Sequence, residues 1–296
     1  MATAFRHVAL IGRYESEGAG TTLLEIAEMI SEHGAEVLIE AQTAQSIGNQ
    51  RFVAASMARI AREADLAISV GGDGTMLGVA RSLAASRVQL VGINHGRLGF
   101  ITDISLADWR TALTAILDGV YDAEDRTLLS ARAMRDGAEI WHDICLNDVV
   151  VSRSSRSGMI ELQVDVDGVY MYNQRADGLI VATPTGSTAY ALSANGPILH
   201  PELAGIVLVP IAPQALSNRP IALPDNVEVR IKVIEASEPR VSCDMQVFGD
   251  LQVGDDIIVR RAPFTCRFLH PKNHNHFATL RSKLNWHELP ILQRPD

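Results

Sequence analysis

The first part of the chain alternates short apolar runs with amphipathic segments. Runs with the length of buried strands lie at residues 8–11, 37–39, 65–70 and 89–93. Apolar residues recur at helical spacing in a segment that opens at Thr21 and in the segments 52–62, 75–85 and 109–117. Strands separated by helices predict an α/β domain with a parallel sheet.

The pattern changes near residue 126. Apolar and polar residues then alternate one by one in the stretches 161–170, 227–233 and 256–260. This period of two is typical of strands with one buried face, and the Gly, Pro and Asn residues between the stretches are typical of antiparallel connections. The second part of the chain is therefore predicted to be all-β, and a sandwich is the favoured architecture.

These patterns divide the chain into two domains. A length of 296 residues exceeds that of most single domains, which agrees with such a division. We predict a Rossmann-like α/β domain with a parallel sheet over residues 1–126 and an all-β sandwich over residues 127–276. The closing segment 277–296 starts with a helical pattern and is expected to pack back on the first domain.

Charge and cysteine content narrow the class of protein. The formal net charge of −9 argues against a surface that binds nucleic acid or an anionic membrane, so a bound phosphate would need local donors. Cys145, Cys243 and Cys266 lie far apart and form no C-x-x-C pair, which indicates reduced thiols. With no signal-peptide pattern at the start, and with an apolar stretch at 204–216 that is too short for a bilayer, we expect a cytoplasmic protein.

A glycine-rich turn follows the predicted strand 65–70. Its residues are Gly71, Gly72, Asp73, Gly74 and Thr75. Glycines allow a positive φ and a close approach of backbone N–H groups to an anion, and the helix that follows adds the positive end of its dipole. The turn is therefore a candidate phosphate loop, although a plain turn with Asp73 as a helix cap explains the same residues. It matches neither the dinucleotide fingerprint nor the P-loop pattern.

Two further polar groups interrupt apolar strands. The stretch 177–190 carries Thr183, Thr185, Ser187 and Thr188 in a turn that could offer hydroxyl and amide donors to phosphates or ribose. A serine- and threonine-rich loop without function is the alternative. Asn147 and Asp148 form a polar pair in the apolar run 144–151, and such a pair needs partners. An adenine and a ribose would supply them, and a buried turn is again the alternative.

Taken together, these motifs closely resemble the NAD kinases over nearly the whole chain. The resemblance rests on the turn at 71–74, the pair at 147–148 and the segment 177–193, in that order and spacing. Further matching stretches lie at 94–100, 242–246 and 270–272. The first motif alone is weak, because diacylglycerol and sphingosine kinases share it, whereas the segment 183–190 is far more specific.

The resemblance implies roles for individual residues. Asp73 matches the catalytic aspartate that activates the 2′-hydroxyl of the adenosine ribose of NAD. Asn147 and Asp148 match an Asn-Glu/Asp pair that contacts adenine and ribose, and Arg175 matches an arginine of enzymes that use ATP and prefer NAD to NADH. The full set of implied NAD-binding residues is Asp73, Gly74, Phe100, Asn147, Asp148, Arg175, Asp177, Thr188, Ala189, Tyr190, Ala191, Leu192, Ser193, Ala212 and Gln246.

The resemblance also implies the reaction and its partners. The expected activity is transfer of the γ-phosphoryl group of ATP to the 2′-hydroxyl, giving NADP and ADP, with Mg²⁺ or another divalent cation that arrives with ATP. A homotetramer is expected by the same resemblance. His270, His274 and His276 are closely spaced, but structural zinc sites usually have four ligands, so no metal site made by the protein is predicted.

Two other functions remain open from the sequence. A lipid or sugar kinase would share the turn at 71–74 and would give no role to the segment 185–190. A non-catalytic NAD(P) sensor would use Asp73 only as a helix cap. Formation of NADP from NAD, ATP and Mg²⁺ separates the three functions.

Overall fold

A computed structural model of the chain describes residues 4–12, 19–96, 99–154 and 158–286. Their contacts form two compact units. One comprises Met1–Glu124 with Arg267–Asp296, and the other comprises Asp125–Cys266. The predicted limits were residues 126 and 276. A long strand continues through each observed limit, over residues 121–135 and 256–271. The alternating pattern therefore gives no indication of a domain boundary there. Residues 287–296 of the predicted closing segment, and residues 97–98 of the matching stretch 94–100, lie outside the described residues.

The first unit is built on a parallel sheet. Its strands are β1 (His7–Gly12), β2 (Glu36–Glu40), β3 (Val53–Ala55), β4 (Leu66–Gly71), β5 (Gln89–Asn94) and β6 (Ile104–Ser105). They pair in the order β3-β2-β1-β4-β5-β6, all parallel. Every residue of β4 is buried, as expected for a central strand with both faces covered. The predicted α/β fold class is confirmed.

Helices connect these strands. They are α1 (Ala19–Glu32), α2 (Ala41–Ser46), α3 (Met57–Glu63), α4 (Asp73–Leu83) and α5 (Trp109–Leu117), and a last helix spans His276–Leu284. Apolar side chains from α1 and α5, including Leu23, Ile30 and Leu113, share one buried cluster with Leu10 and Ile68 of the sheet. Among the described residues, no helix is both long and apolar enough to cross a membrane.

One predicted helix was partly wrong. Residues 52–62 were expected to be helical throughout, whereas residues 53–55 form β3 beside β2, and α3 starts only after Ser56. The Ser56 hydroxyl accepts a hydrogen bond from the N–H of Arg59 and so caps α3. Pairing with β2 thus outweighs the helical spacing of the apolar residues. The short helix α2 was not predicted.

The second unit is the predicted antiparallel sandwich. Its strands are β7 (Tyr121–Arg135), β8 (Ala138–Cys145), β9 (Asp148–Arg153), β10 (Ile160–Val166), β11 (Val169–Ala176), β12 (Gly178–Ala182), β13 (Gly205–Ile211), β14 (Ile221–Pro224), β15 (Val229–Glu235), β16 (Pro239–Cys243), β17 (Val247–Asp250) and β18 (Asp256–Pro271). One sheet has the order β14-β13-β12-β9-β16-β17. The other contains β11-β10-β15-β18, with β7 pairing β18 and β8.

The two sheets of this unit enclose one core. Val151 and Leu179 from the first sheet share a buried cluster with Leu162, Ile231 and Val259 from the second. A short 3₁₀ turn (Gly186–Thr188) and the single-turn helix α6 (Tyr190–Ser193) follow β12. Both lie at the end of a fully buried strand, a place where a rigid scaffold can present polar loop residues.

Candidate active site

The glycine-rich turn lies where β4 ends and α4 begins. Asp73 is the first residue of α4, and Gly72 precedes it in an extended conformation with φ −98°. None of the three glycines at 71, 72 and 74 has a positive φ, so the turn does not use the positive φ that glycine allows. The chain passes from strand to helix without strain, and the turn lies at the positive end of the α4 dipole.

The Asp73 carboxylate does not cap its own helix. It accepts hydrogen bonds from the segment 99–103, which we call the 99–103 loop. Oδ2 accepts from the N–H of Phe100 at 2.7 Å. Oδ1 accepts from the N–H groups of Ile101 at 3.3 Å and Thr102 at 3.1 Å, and from the Thr102 hydroxyl at 2.7 Å. These charge-assisted bonds hold the carboxylate in one orientation.

Thr102 is a site residue that the sequence analysis missed. It is fully buried, and besides its two bonds to Asp73 its Oγ1 accepts a hydrogen bond from Asn94 Nδ2 at 2.8 Å. Its carbonyl oxygen accepts the N–H of Gly99 at 3.1 Å, which closes the 99–103 loop on itself. The only sequence signal was a threonine shortly after Gly99, and that does not reveal its partner.

In the second unit, Asn147 and Asp148 lie at the turn from β8 to β9. The pair was placed within a strand, but only Asp148 belongs to one, as the first residue of β9. The carboxylate of Asp244 accepts the N–H groups of Leu146 at 3.2 Å, Asn147 at 2.7 Å and Asp148 at 3.3 Å. Asp244 therefore fixes the backbone of the pair. It belongs to the matching stretch 242–246, but no role was predicted for it.

Asp148 is buried beside this second carboxylate. Its Oδ1 has no hydrogen-bond partner among the described residues. Burial, and next the charge of Asp244, raise the pKa of Asp148 from 3.8 to about 7. A buried polar atom without a partner is unusual and needs an explanation, and a polar group of a bound ligand would provide one.

We expect Asp148→Asn to make the protein more stable at high pH. Because the folded-state pKa lies above the unfolded one, the free energy of unfolding of the native protein falls as pH rises from about 4 to about 7 and is level above that. The variant does not lose stability in this way. Its free energy of unfolding should therefore exceed that of the native protein by about 1–3 kcal/mol at pH 8 and by less at pH 5. Urea unfolding at both pH values measures it, and parallel pH profiles would contradict the prediction.

Hydroxyl groups of the turn after β12 form hydrogen bonds with main-chain groups of the protein. The Thr183 hydroxyl donates to the carbonyl of Leu146, and the Ser187 hydroxyl donates to that of Pro184 and accepts the N–H of Leu199. Both side chains are fully buried. Of the two interpretations left open by the sequence, these two hydroxyls therefore fit the one of a loop that is held by its own hydrogen bonds. Thr183 binds the turn to the chain next to Asn147, and Ser187 binds it to Leu199.

The other predicted residues of this segment differ in accessibility. Thr188, Ala189, Tyr190 and Leu192 are half-buried, and Ser193 is exposed. Ala191 is fully buried in an apolar cluster with Val150 and Ile180, so its side chain serves packing. Ala212 and Gln246 are exposed, and Ala212 has a φ of +44°. In the first unit, Phe100 and Asp73 are half-buried and Gly74 is exposed.

Arg175 and Asp177 have charged partners. Arg175 is about half exposed, and its guanidinium lies 3.8 Å from Glu161 and 3.6 Å from Glu235. Asp177 accepts a hydrogen bond from Arg153 Nε at 2.8 Å. Neither acidic partner of Arg175 was anticipated, and both offset its charge locally.

One described cluster combines residues that often bind metals. Asp103, His270 and His274 place one ligand atom each within 4.8 Å of one another. The two imidazole rings are nearly parallel, with centroids 4.2 Å apart. Both rings lie within hydrogen-bond distance of the same carboxylate oxygen. The cluster is therefore a hydrogen-bonded group in this conformation, and Mg²⁺ prefers oxygen ligands.

Comparisons with known proteins show which family the chain resembles. Residues 8–121 match the family model for the ATP-NAD kinase N-terminal domain, and residues 146–271 match the one for the C-terminal domain. The NAD kinase of Paraburkholderia phymatum is 55% identical over 286 residues, covering 97% of this chain and 95% of that protein. The NAD kinase of Burkholderia pseudomallei is 54% identical over 292 residues, covering 99% and 97%.

Two solved structures are similar in fold. Yeast NADH kinase complexed with NADH aligns with a TM-score of 0.89 at 22% identity, covering 98% of this chain and 90% of that one. An NAD kinase from Archaeoglobus fulgidus in complex with ATP aligns with a TM-score of 0.75 at 28% identity, covering 94% and 98%.

Proposed function

The chain belongs to the NAD kinase family, and we propose that Asp73 is the base of its reaction. As an NAD kinase, the protein transfers the γ-phosphoryl group of ATP to the 2′-hydroxyl of the adenosine ribose of NAD, giving NADP and ADP. The proposed role of Asp73 rests on the geometry of its carboxylate. Oδ1 accepts three hydrogen bonds, whereas Oδ2 accepts one, from Phe100. Oδ2 thus keeps an acceptor position for a substrate hydroxyl.

The chemical step follows from this position. A ribose hydroxyl is a poor nucleophile until a base within hydrogen-bond reach accepts its proton. As the bond from the 2′-oxygen to the γ-phosphorus forms, the proton moves to Asp73 Oδ2. The bond from the γ-phosphorus to the bridging oxygen breaks, and ADP leaves. Because phosphoryl transfer depends mostly on positioning and charge, the four bonds that fix Asp73 are its main structural support.

We propose that the phosphates of the nucleotides lie at the turn formed by Gly71, Gly72, Gly74 and Thr75. The positive end of the α4 dipole supports this assignment, since it favours an anion there. A divalent cation such as Mg²⁺, bound to the phosphates of ATP, would offset the negative charge of donor, acceptor and Asp73.

We propose that the second unit contributes the adenosine contacts of NAD. Asn147 and the unpartnered Oδ1 of Asp148 are the proposed partners of adenine and ribose, because Asp244 fixes their backbone and leaves these side-chain groups for a ligand. The remaining proposed contacts are Phe100, Arg175, Asp177, Thr188, Ala189, Tyr190, Ala191, Leu192, Ser193, Ala212 and Gln246. Ala191 would contribute through its backbone, since its side chain is buried.

We expect Arg175→Gly to let the enzyme accept NADH as well as NAD. A positive charge alone would favour NADH, so we infer that the planar guanidinium, held near Glu161 and Glu235, selects NAD through hydrogen-bond geometry. Lysine cannot reproduce that geometry, and Arg175→Lys should be intermediate. The ratio of kcat/KM for NAD to that for NADH, measured in the three proteins, tests this. An unchanged ratio in the glycine variant would place selectivity elsewhere.

One assay tests the whole proposal. The purified protein with ATP, Mg²⁺ and NAD should form NADP and ADP in equal amounts, and omission of NAD should abolish ADP formation. Phosphorylation of a lipid or sugar in place of NAD, or NAD binding without turnover, would support the two other functions. The match to both NAD kinase domains favours neither.

We further propose a homotetramer that acts in the cytoplasm. The tetramer rests on the resemblance to NAD kinases. The cytoplasmic location is supported by Cys145, Cys243 and Cys266, which are buried thiols not joined in disulfides. Burial raises the pKa of the Cys266 thiol to about 12, so this group is unreactive at neutral pH.

A further inference from the structure

The last residue of the 99–103 loop is held by two histidines. Asp103 Oδ2 lies 2.8 Å from His270 Nδ1 and 3.0 Å from His274 Nδ1. Burial raises the pKa of Asp103, but its hydrogen bonds and charge interactions with the two histidines outweigh this, so the pKa lies well below its ordinary value. Asp103 is therefore an ionised acceptor, and each imidazole donates its Nδ1–H to it.

His270 is itself fixed in place. It lies in β18, which pairs with β5, and its side chain is 3% exposed. Its Nε2 is 3.4 Å from Glu124 Oε2, so the ring lies between two carboxylates. The ring of His274 stacks on it with centroids 4.2 Å apart. Asp103 is thus bound to a buried part of the sheet.

The residues of this loop that directly precede Asp103 hold the Asp73 carboxylate. Phe100, Ile101 and Thr102 supply all four of the hydrogen bonds described for it, and Thr102 is covalently joined to Asp103. A shift of Asp103 must therefore move the donors that orient Asp73. Misplacement of a catalytic group by about 1 Å can lower a rate by roughly 10²-fold.

We propose that Asp103, His270 and His274 are positioning residues for the phosphoryl transfer, because they hold the 99–103 loop where it orients Asp73. This rests on the proposed role of Asp73 as the base. The three residues act on the base and not on NAD itself. Loss of the hydrogen bonds between Asp103 and the two histidines, which we call the Asp103 anchor, therefore lowers kcat and leaves the KM for NAD nearly unchanged. A role in folding alone would lower the thermal stability without this division between kcat and KM.

Variants of His274, the more exposed of the two histidines, test the proposal. His274→Leu keeps the volume but removes the donor, and kcat should fall by about 10–100-fold with the KM for NAD within about twofold. His274→Asn places its amide nitrogen near the former Nδ1, so kcat should stay within about threefold of the native value. Lys272→Gln is the matched control, because Lys272 lies in the same turn and pairs with Asp122. It should leave kcat unchanged.

Hydrogen exchange gives a second measurement that needs no turnover. In His274→Leu, the amides of Phe100, Ile101 and Thr102 should exchange at least ~10-fold faster than in the native protein, and Lys272→Gln should not change them. Equal kcat losses in the Leu and Asn variants, or unchanged exchange and kcat in the Leu variant, would overturn the proposal. The proposal would also be overturned if the native protein bound one divalent metal ion per chain and Asp103→Asn did not, since the histidines would then be metal ligands. If the native protein forms no NADP, the proposed function is wrong. Amide hydrogen exchange in His274→Leu then still shows whether the Asp103 anchor holds the 99–103 loop.

Discussion

Replacing Asp73 with asparagine is expected to lower kcat by about 10²–10⁴-fold, the usual effect of removing a general base. The amide has nearly the same size but cannot accept a proton at neutral pH. Its oxygen can take the place of Oδ1 and keep the three bonds from Ile101 and Thr102. NAD binding should therefore persist, and calorimetric titration with NAD, together with steady-state kinetics, measures the two effects separately.

The asparagine variant also changes one hydrogen bond. Its amide N–H₂ would face the N–H of Phe100, which now donates to Oδ2, so one donor loses its acceptor. This loss costs about 1–3 kcal/mol if no water replaces it, and the melting temperature should fall. Thr102→Val is the comparison, because it removes one bond to Asp73, together with the one from Asn94, and keeps the carboxylate. It should lower kcat far less. An Asp73→Asn enzyme with more than half the native kcat would exclude Asp73 as the base.

Elements with a strong hydrophobic pattern could be predicted from the sequence. Strand β4 is buried at every position and helix α5 begins and ends where its apolar spacing indicated, so both were correctly predicted. The alternation that predicted the sandwich appears as the buried cluster between the two sheets of the second unit. These features depend on local periodicity and on burial, and both are visible in a single sequence.

Features that depend on partners distant in sequence could not be predicted. Residues 53–55 form a strand only because β2 lies beside them. The sequence left open whether the hydroxyls of Thr183 and Ser187 face a ligand, and their bonds to Leu146 and Leu199 decide this. The pair of histidines at 270 and 274 meets Asp103 across more than half of the chain. Periodicity carries no information about such contacts.

The tight packing around Asp73 leads to the last prediction, which concerns Gly99. A Cβ atom built on Gly99 would lie 1.7 Å from Asp73 Oδ1 and 2.4 Å from Thr102 Oγ1. Gly99→Ala must therefore push the carboxylate or the 99–103 loop aside. Since a displacement of about 1 Å at a catalytic group lowers the rate by roughly 10²-fold, we expect a loss of that order in kcat with the carboxylate still present.

Gly96→Ala is the matched control for this prediction, because it makes the same change in the same connection. A Cβ on Gly96 would have its nearest neighbour, Asn94 Oδ1, at 3.8 Å, which is an ordinary contact. Both variants add one methyl group to a glycine without a positive φ, so the steric conflict with Asp73 and Thr102 is the main difference between them. Steady-state kinetics should show near-native kcat for Gly96→Ala and the large loss for Gly99→Ala. Equal activities would mean that the enzyme tolerates a displaced Asp73, and the mechanism would then need another base.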